Sequence, residues 1–72
     1  MNSGDRAINL NFEAVLQHLT QPELAERWRV SGRTLERWRR NGTGPAFLRL
    51  NGKVLYRLSD VLGFEQTHLK KP

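Results

Sequence analysis

Cysteine is absent from the chain, which excludes disulfides, thiolate nucleophiles and thiolate zinc sites. Histidine is nearly absent: His18 and His68 stand fifty positions apart, and two surface imidazoles are the expected reading, with no metal site. No apolar run approaches the ~18 residues of a membrane-spanning helix. The N-terminus lacks the charged-then-apolar layout of a secretory signal, so a soluble, cytoplasmic chain is the expectation. Acids are few as well. Asp5, Glu13, Glu23, Glu26, Glu36, Asp60 and Glu65 form no paired motif, and no nucleophile stands with a base, so neither catalysis nor a cofactor is expected. The 72 residues hold no internal repeat and no low-complexity segment. They allow one small domain, and a chain of that size buries only about 60% of its unfolded surface.

What the chain has is positive charge, and it is unevenly placed. From Val30 to Leu58 there are seven basic residues and one acid, a net of +6, while the remainder carries −1. A merely solubilising surface would disperse its charges. Concentration in one half of the chain points to a polyanionic partner.

The organising stretch is Thr20 to Asn41, TQPELAERWRVSGRTLERWRRN. Thr20 reads as an N-cap with Glu23 completing a capping box, and Leu19 and Leu24 occupy the positions of a hydrophobic staple. Pro22 falls in the first turn, where a missing N–H does no harm. The grammar then recurs, with Ser31 as N-cap and Val30 and Leu35 as its staple. Leu24, Ala25 and Trp28 line one face of a first helix, Leu35 and Trp38 one face of a second. Two helices so closely joined make a helix-turn-helix. Arg29 stands at the turn, where left-handed backbone costs a non-glycine residue on the order of 1 kcal/mol; either the turn differs there or the cost is borne. On the second helix, Arg33, Glu36, Arg37 and Arg40 point away from Leu35 and Trp38, with Thr34 and Arg39 on the flanks. Like charges at i and i+4 destabilise an isolated helix slightly, which makes sense if an external polyanion neutralises them.

Asn41 or Gly42 can supply the left-handed cap of this helix, and Pro45 stops its continuation. Asn51-Gly52 between two apolar, β-prone runs is a strong hairpin signal. A two-residue loop pairs Leu50 with Lys53, Leu48 with Leu55 and Phe47 with Tyr56. Phe47, Val54, Tyr56 and Arg49 then share one face, and the aromatic pair is expected to face the core. Leu48, Leu50 and Leu55 share the other face, which needs cover. A helix from Asn11 to Leu19, with Phe12, Val15, Leu16 and Leu19 at i, i+3, i+4 and i+7, is the expected cover; a contact with a dimer mate or partner is the alternative. Ser59 reads as the cap of a last helix, with Asp60 suiting its dipole. Gly63 within that helix points to close packing or a short helix.

The sum is a single-domain winged helix-turn-helix, mainly α with a small β-hairpin wing. Residues 1–10 form a leader and 11–66 the domain. Within the domain the helix-turn-helix covers 20–41, the wing 46–57 and the final helix 59–66; 67–72 form a tail. An α-helix fits the major groove of duplex DNA, where arginine bonds guanine O6 and N7 together. A helix N-terminus such as that at Ser31 suits a phosphate, and a basic hairpin alongside reaches backbone or minor groove.

The segment LAERWRVSGRTLERWRRNGTGPAFLRLNGKVLYRLSDVLGF resembles the winged domains of small phage and mobile-element excisionases and the related DNA-binding half of MerR-type regulators. The likeness covers roughly residues 20–65 and is carried by Leu24-Ala25, Val30-Ser31, Thr34-Leu35, Trp38, Gly44-Pro45, Asn51-Gly52, Tyr56-Arg57 and Ser59-Asp60. It departs from the family at Arg29, where glycine is common, and in having no long C-terminal helix, so MerR-style coiled-coil dimerisation and effector sensing are not implied. The resemblance implies a DNA interface of Ser31, Arg33, Thr34 and Arg37 at the major groove, with Glu36 on the same face and Arg39 or Arg40 on phosphates. Lys53 would approach the adjacent minor groove, with Arg49 or Arg57 nearby. It further implies an architectural role in the bacterial nucleoid: monomers that bind double-stranded DNA cooperatively, bend it and help an integrase or recombinase excise an element. A small transcriptional regulator on the same fold is the alternative, and a protein-interaction adaptor a second one.

Overall fold

In the computed structural model, which describes residues 17–71, Thr20 closes a strand and opens a helix. Strand β1 (His18–Thr20) runs straight into helix α1 (Gln21–Trp28). The Thr20 hydroxyl accepts the Glu23 N–H at 3.3 Å while the Glu23 carboxylate accepts the Thr20 N–H at 2.8 Å. This reciprocal capping box satisfies two amides that the helix itself leaves without partners. Helix α2 (Gly32–Asn41) starts in the same manner, with Ser31 Oγ accepting the Thr34 N–H at 3.0 Å.

Both helices also end alike. Arg29 sits in left-handed backbone at φ 58°, ψ 45°, and the Val30 N–H reaches back to the Ala25 carbonyl at 3.0 Å. Gly42 repeats the conformation at φ 70°, with the Thr43 N–H bonded to the Trp38 carbonyl at 3.0 Å. These are Schellman closures. The turn therefore keeps its usual geometry and bears the steric cost of Arg29.

Strands β2 (Leu48–Leu50) and β3 (Lys53–Arg57) form the wing, in the register that the Asn51-Gly52 loop dictates: Leu48 opposite Leu55, Arg49 opposite Val54, Leu50 opposite Lys53. Asn51 and Gly52 both have positive φ, 52° and 82°, the signature of a type I′ turn whose twist matches that of the strands. Helix α3 (Leu58–Thr67) follows β3 without a loop. The fold is a winged helix-turn-helix, with three helices and an antiparallel sheet in the order β1-β3-β2 among the described residues.

Two sequence expectations are corrected here. Residues 11–16 of the expected Asn11–Leu19 helix lie outside the described residues, but its last turn is not helical: His18–Thr20 is a strand, with Leu19 opposite Tyr56. The free edge of β3 supplies hydrogen-bond partners that outweigh a helical spacing of apolar residues. Ser59, expected as a cap, lies inside the first turn of α3, because the helix begins two residues earlier than that cap implies, at Leu58 with Arg57 at the cap position. The Leu58 N–H is instead satisfied by the Gln17 carbonyl at 2.9 Å.

The core takes one residue from each of four elements: Leu24 (α1), Leu35 (α2), Tyr56 (β3) and Val61 (α3), each at most 1% exposed. Leu19, Ala25, Trp28, Val30, Trp38, Val54 and Leu58 pack around them. The aromatic face of the wing is thus the inner one, although Phe47 is only partly covered. Gly44 lets the chain pass Trp38 on its way to the wing, since a Cβ there would lie 3.1 Å from the Trp38 Cβ.

Candidate nucleic-acid interface

Burying Leu35 fixes the rotation of α2 about its axis and so decides which side chains meet solvent. Arg33, Glu36, Arg37 and Arg40 are exposed, and Thr34 is half-exposed beside them. The ion pairs among the described residues are Arg27–Glu65 and Arg57–Asp60; Arg33, Arg37 and Arg40 enter neither. The one acid in this row, Glu36, accepts a long 3.4 Å hydrogen bond from Gln21 Nε2. The face is therefore a ridge of cations held by the helix but not neutralised by it. At its N-terminal end Ser31 Oγ accepts the Thr34 N–H and lies 3.0 Å from Thr34 Oγ1, so two hydroxyls stand at the positive end of the helix, an arrangement suited to a phosphate.

The wing follows α2 along the chain. Lys53 follows the turn at the tip and is exposed, as is Arg49. Arg49 lies on the inner face with Val54 and Tyr56, and its guanidinium carbon sits 5.8 Å from the Phe47 ring centroid. Lys53 shares the outer face with Leu50, which is 53% exposed. The ridge and the wing tip together present two sets of cations on adjoining elements.

A model of the family described as "Helix-turn-helix domain" matches residues 19–68, more than two thirds of the chain. The chain belongs to the helix-turn-helix domain family. No curated protein and no solved structure matches it. Membership makes the chain a helix-turn-helix DNA-binding protein, of a kind that is typically non-enzymatic. No helix among the described residues is long and apolar enough to cross a membrane.

Two arginines that the sequence places at the DNA are engaged within this helix-turn-helix protein itself. Arg57 Nε donates to Asp60 Oδ2 at 2.7 Å, bracing the first turn of α3. Arg39 is half-buried, and its Nη1 donates to Gln21 Oε1 at 2.6 Å and to the Tyr56 hydroxyl at 2.8 Å. The signal for Arg39 was in the spacing: it lies four residues after Leu35 and so shares the inward side of the helix. Gln21, and the contact of Phe47 with Arg39, were missed because they depend on parts of the chain brought together by the fold.

Sequence reasoning also missed Glu65. Its carboxylate accepts hydrogen bonds from Arg27 and from the Trp28 indole, which hold it below the usual carboxylate range against an opposing effect of burial, and Arg27 is raised in return. This cluster joins α1 to α3 and lies apart from the cationic ridge.

Proposed function

We propose that the protein binds duplex DNA sequence-specifically, with α2 in a major groove and the wing against the neighbouring minor groove. In this reading Arg33 and Arg37 read base edges with Thr34 and Glu36. Ser31, the first-turn amides and Arg40 hold phosphates, and Lys53 and Arg49 secure the wing. Arg39 and Arg57 act from within the fold. The observation that carries the reading is the outward row of Arg33, Arg37 and Arg40, which makes no ion pair among the described residues. Arginine in such a row can bond guanine O6 and N7 at once, whereas glutamate accepts from cytosine N4.

The role we propose is architectural, of the excisionase type: copies of the protein bind adjacent sites, bend the DNA and so promote excision by an integrase. The resemblance over residues 20–65 supports this role, and so does the compactness of a reader that joins a recognition helix to a wing in so few residues. The same interface would also serve a small repressor. Footprinting on the DNA around the protein's own gene, with an attachment site included, tests the choice. Protection of repeated sites beside the attachment site, with a bend in permuted-fragment gels, is expected. Protection of a promoter alone would replace excision by repression.

A further inference from the structure

Arg39 ties α2 to α1 and to the wing. Its Nη1 bonds Gln21 at the start of α1 and Tyr56 on β3, and its guanidinium carbon lies 5.7 Å from the Phe47 ring centroid, on the segment that leads into β2. Tyr56 is 1% exposed, and Arg39 is the hydrogen-bond partner of its hydroxyl. Gln21 in turn reaches Glu36 on the outward row. A planar guanidinium bonded to two elements and lying against an aromatic ring has little freedom of orientation, and a part-buried polar network of this kind is costly to leave half-made.

We propose that Arg39 is a positioning residue that fixes the angle between α2 and the wing, and that it does not contact phosphate. The proposal rests on the DNA-binding reading above. When a helix and a wing enter neighbouring grooves, the second contact is intramolecular once the first has formed. Its advantage depends on the two parts being held at the correct separation and angle. The Arg39–Tyr56 bond supplies that constraint from α2, and the Phe47 ring extends it to the base of β2. Lys53 at the tip therefore depends for its effect on a half-buried residue of α2.

The test is a set of binding titrations, by fluorescence anisotropy over a salt series. The probes are a duplex that the wild-type chain selects from a randomised pool and a scrambled duplex of equal length. Tyr56→Phe keeps the buried ring and removes only the hydroxyl, so it cannot delete a DNA contact. It is expected to weaken binding to the selected duplex by about three- to tenfold, in the range of coupled contacts, with a salt exponent that falls by no more than Lys53→Ala lowers it. Arg39→Met and Arg39→Lys are each expected to do at least as much, with the exponent moving together with that of Tyr56→Phe. Lys53→Ala is expected to matter less in the Arg39→Met background than in the wild type. The proposal is overturned if Arg39→Met lowers the salt exponent by about one while Tyr56→Phe binds like the wild type, or if Arg39→Lys restores full affinity. If Arg39→Met does not fold, Tyr56→Phe and Arg39→Lys decide the matter. A wild-type chain that binds no duplex overturns the DNA-binding reading itself and this proposal with it, an outcome distinct from the others.

Discussion

Trp28 Nε1 donates to Glu65 Oε2 at 2.6 Å, and the same carboxylate takes both arms of Arg27, Nε at 2.8 Å and Nη2 at 3.1 Å. One acid on α3 thereby holds three donors of α1, while the Trp28 indole lies 5.3 Å from the Phe64 ring in a stacked arrangement. This cluster fastens α3 to α1 at the surface, beside the buried anchor Val61.

A pH dependence follows from the lowered Glu65 carboxyl. Its folded form releases the proton more readily than the unfolded chain, so the unfolded state binds more protons in acid. The stabilisation is present above the ordinary glutamate range, near pH 4.3, and is lost as pH falls through the lower folded value. Urea unfolding from about pH 6 down to pH 3 is expected to show wild-type stability converging on that of Glu65→Gln. Both side chains of the ion pair are about one-third exposed, so solvent screening keeps the effect modest. Parallel pH profiles for the two proteins would exclude this role.

Gly63 meets nothing. A Cβ built on it has open space around it, in the middle of a ten-residue helix, so the close packing expected from the sequence is not its reason. Gly63→Ala is expected to stabilise the protein by about 0.5–1 kcal/mol, read as a higher Tm with unchanged DNA affinity. A lower Tm would mean that this face of α3 is covered in solution.

Arg29 offers a second gain. Its left-handed backbone, φ 58°, is the conformation glycine adopts freely. Arg29→Gly is expected to raise stability by up to about 1 kcal/mol, measured by thermal unfolding. A destabilised variant would show that the arginine side chain contributes more than its backbone costs.

Base-reading and backbone residues separate by the shape of their losses. Arg37→Ala is expected to cost about 1–3 kcal/mol on the preferred duplex and far less on others, flattening sequence preference. Lys53→Ala is expected to weaken all duplexes nearly alike. With about five phosphate contacts, log affinity should fall against log salt with a slope of about −4 to −5. An equal loss on every sequence for Arg37→Ala would reassign it to a phosphate.

Local chemistry was legible and distant pairing was not. Thr20 with Glu23, Ser31 with Thr34, and Asn51-Gly52 act within a few residues of themselves, and the caps, the turn and the wing register came directly from them. Burial of Leu35 likewise followed from helical spacing. Strand β1 was hidden because three residues are too few to display an alternation, and its partner Tyr56 lies beyond both helices of the helix-turn-helix. The spacing of Arg39 from Leu35 gives its inward lean, but nothing local gives the tyrosine hydroxyl and the glutamine brought near it by folding. Glu65 was unreadable for the same reason, being 38 positions from Arg27.

Among the described residues, β3 is the strand paired on both sides, and its two pairings differ in cost. Its bond to β2 closes across two residues, whereas its bond to β1 encircles both intervening helices and carries a larger loop-closure entropy. Joining β1 to β3 is therefore the costlier closure, and once made it holds the helix pair in place like a clasp. Truncation before Thr20 would leave the hairpin able to form but the clasp open.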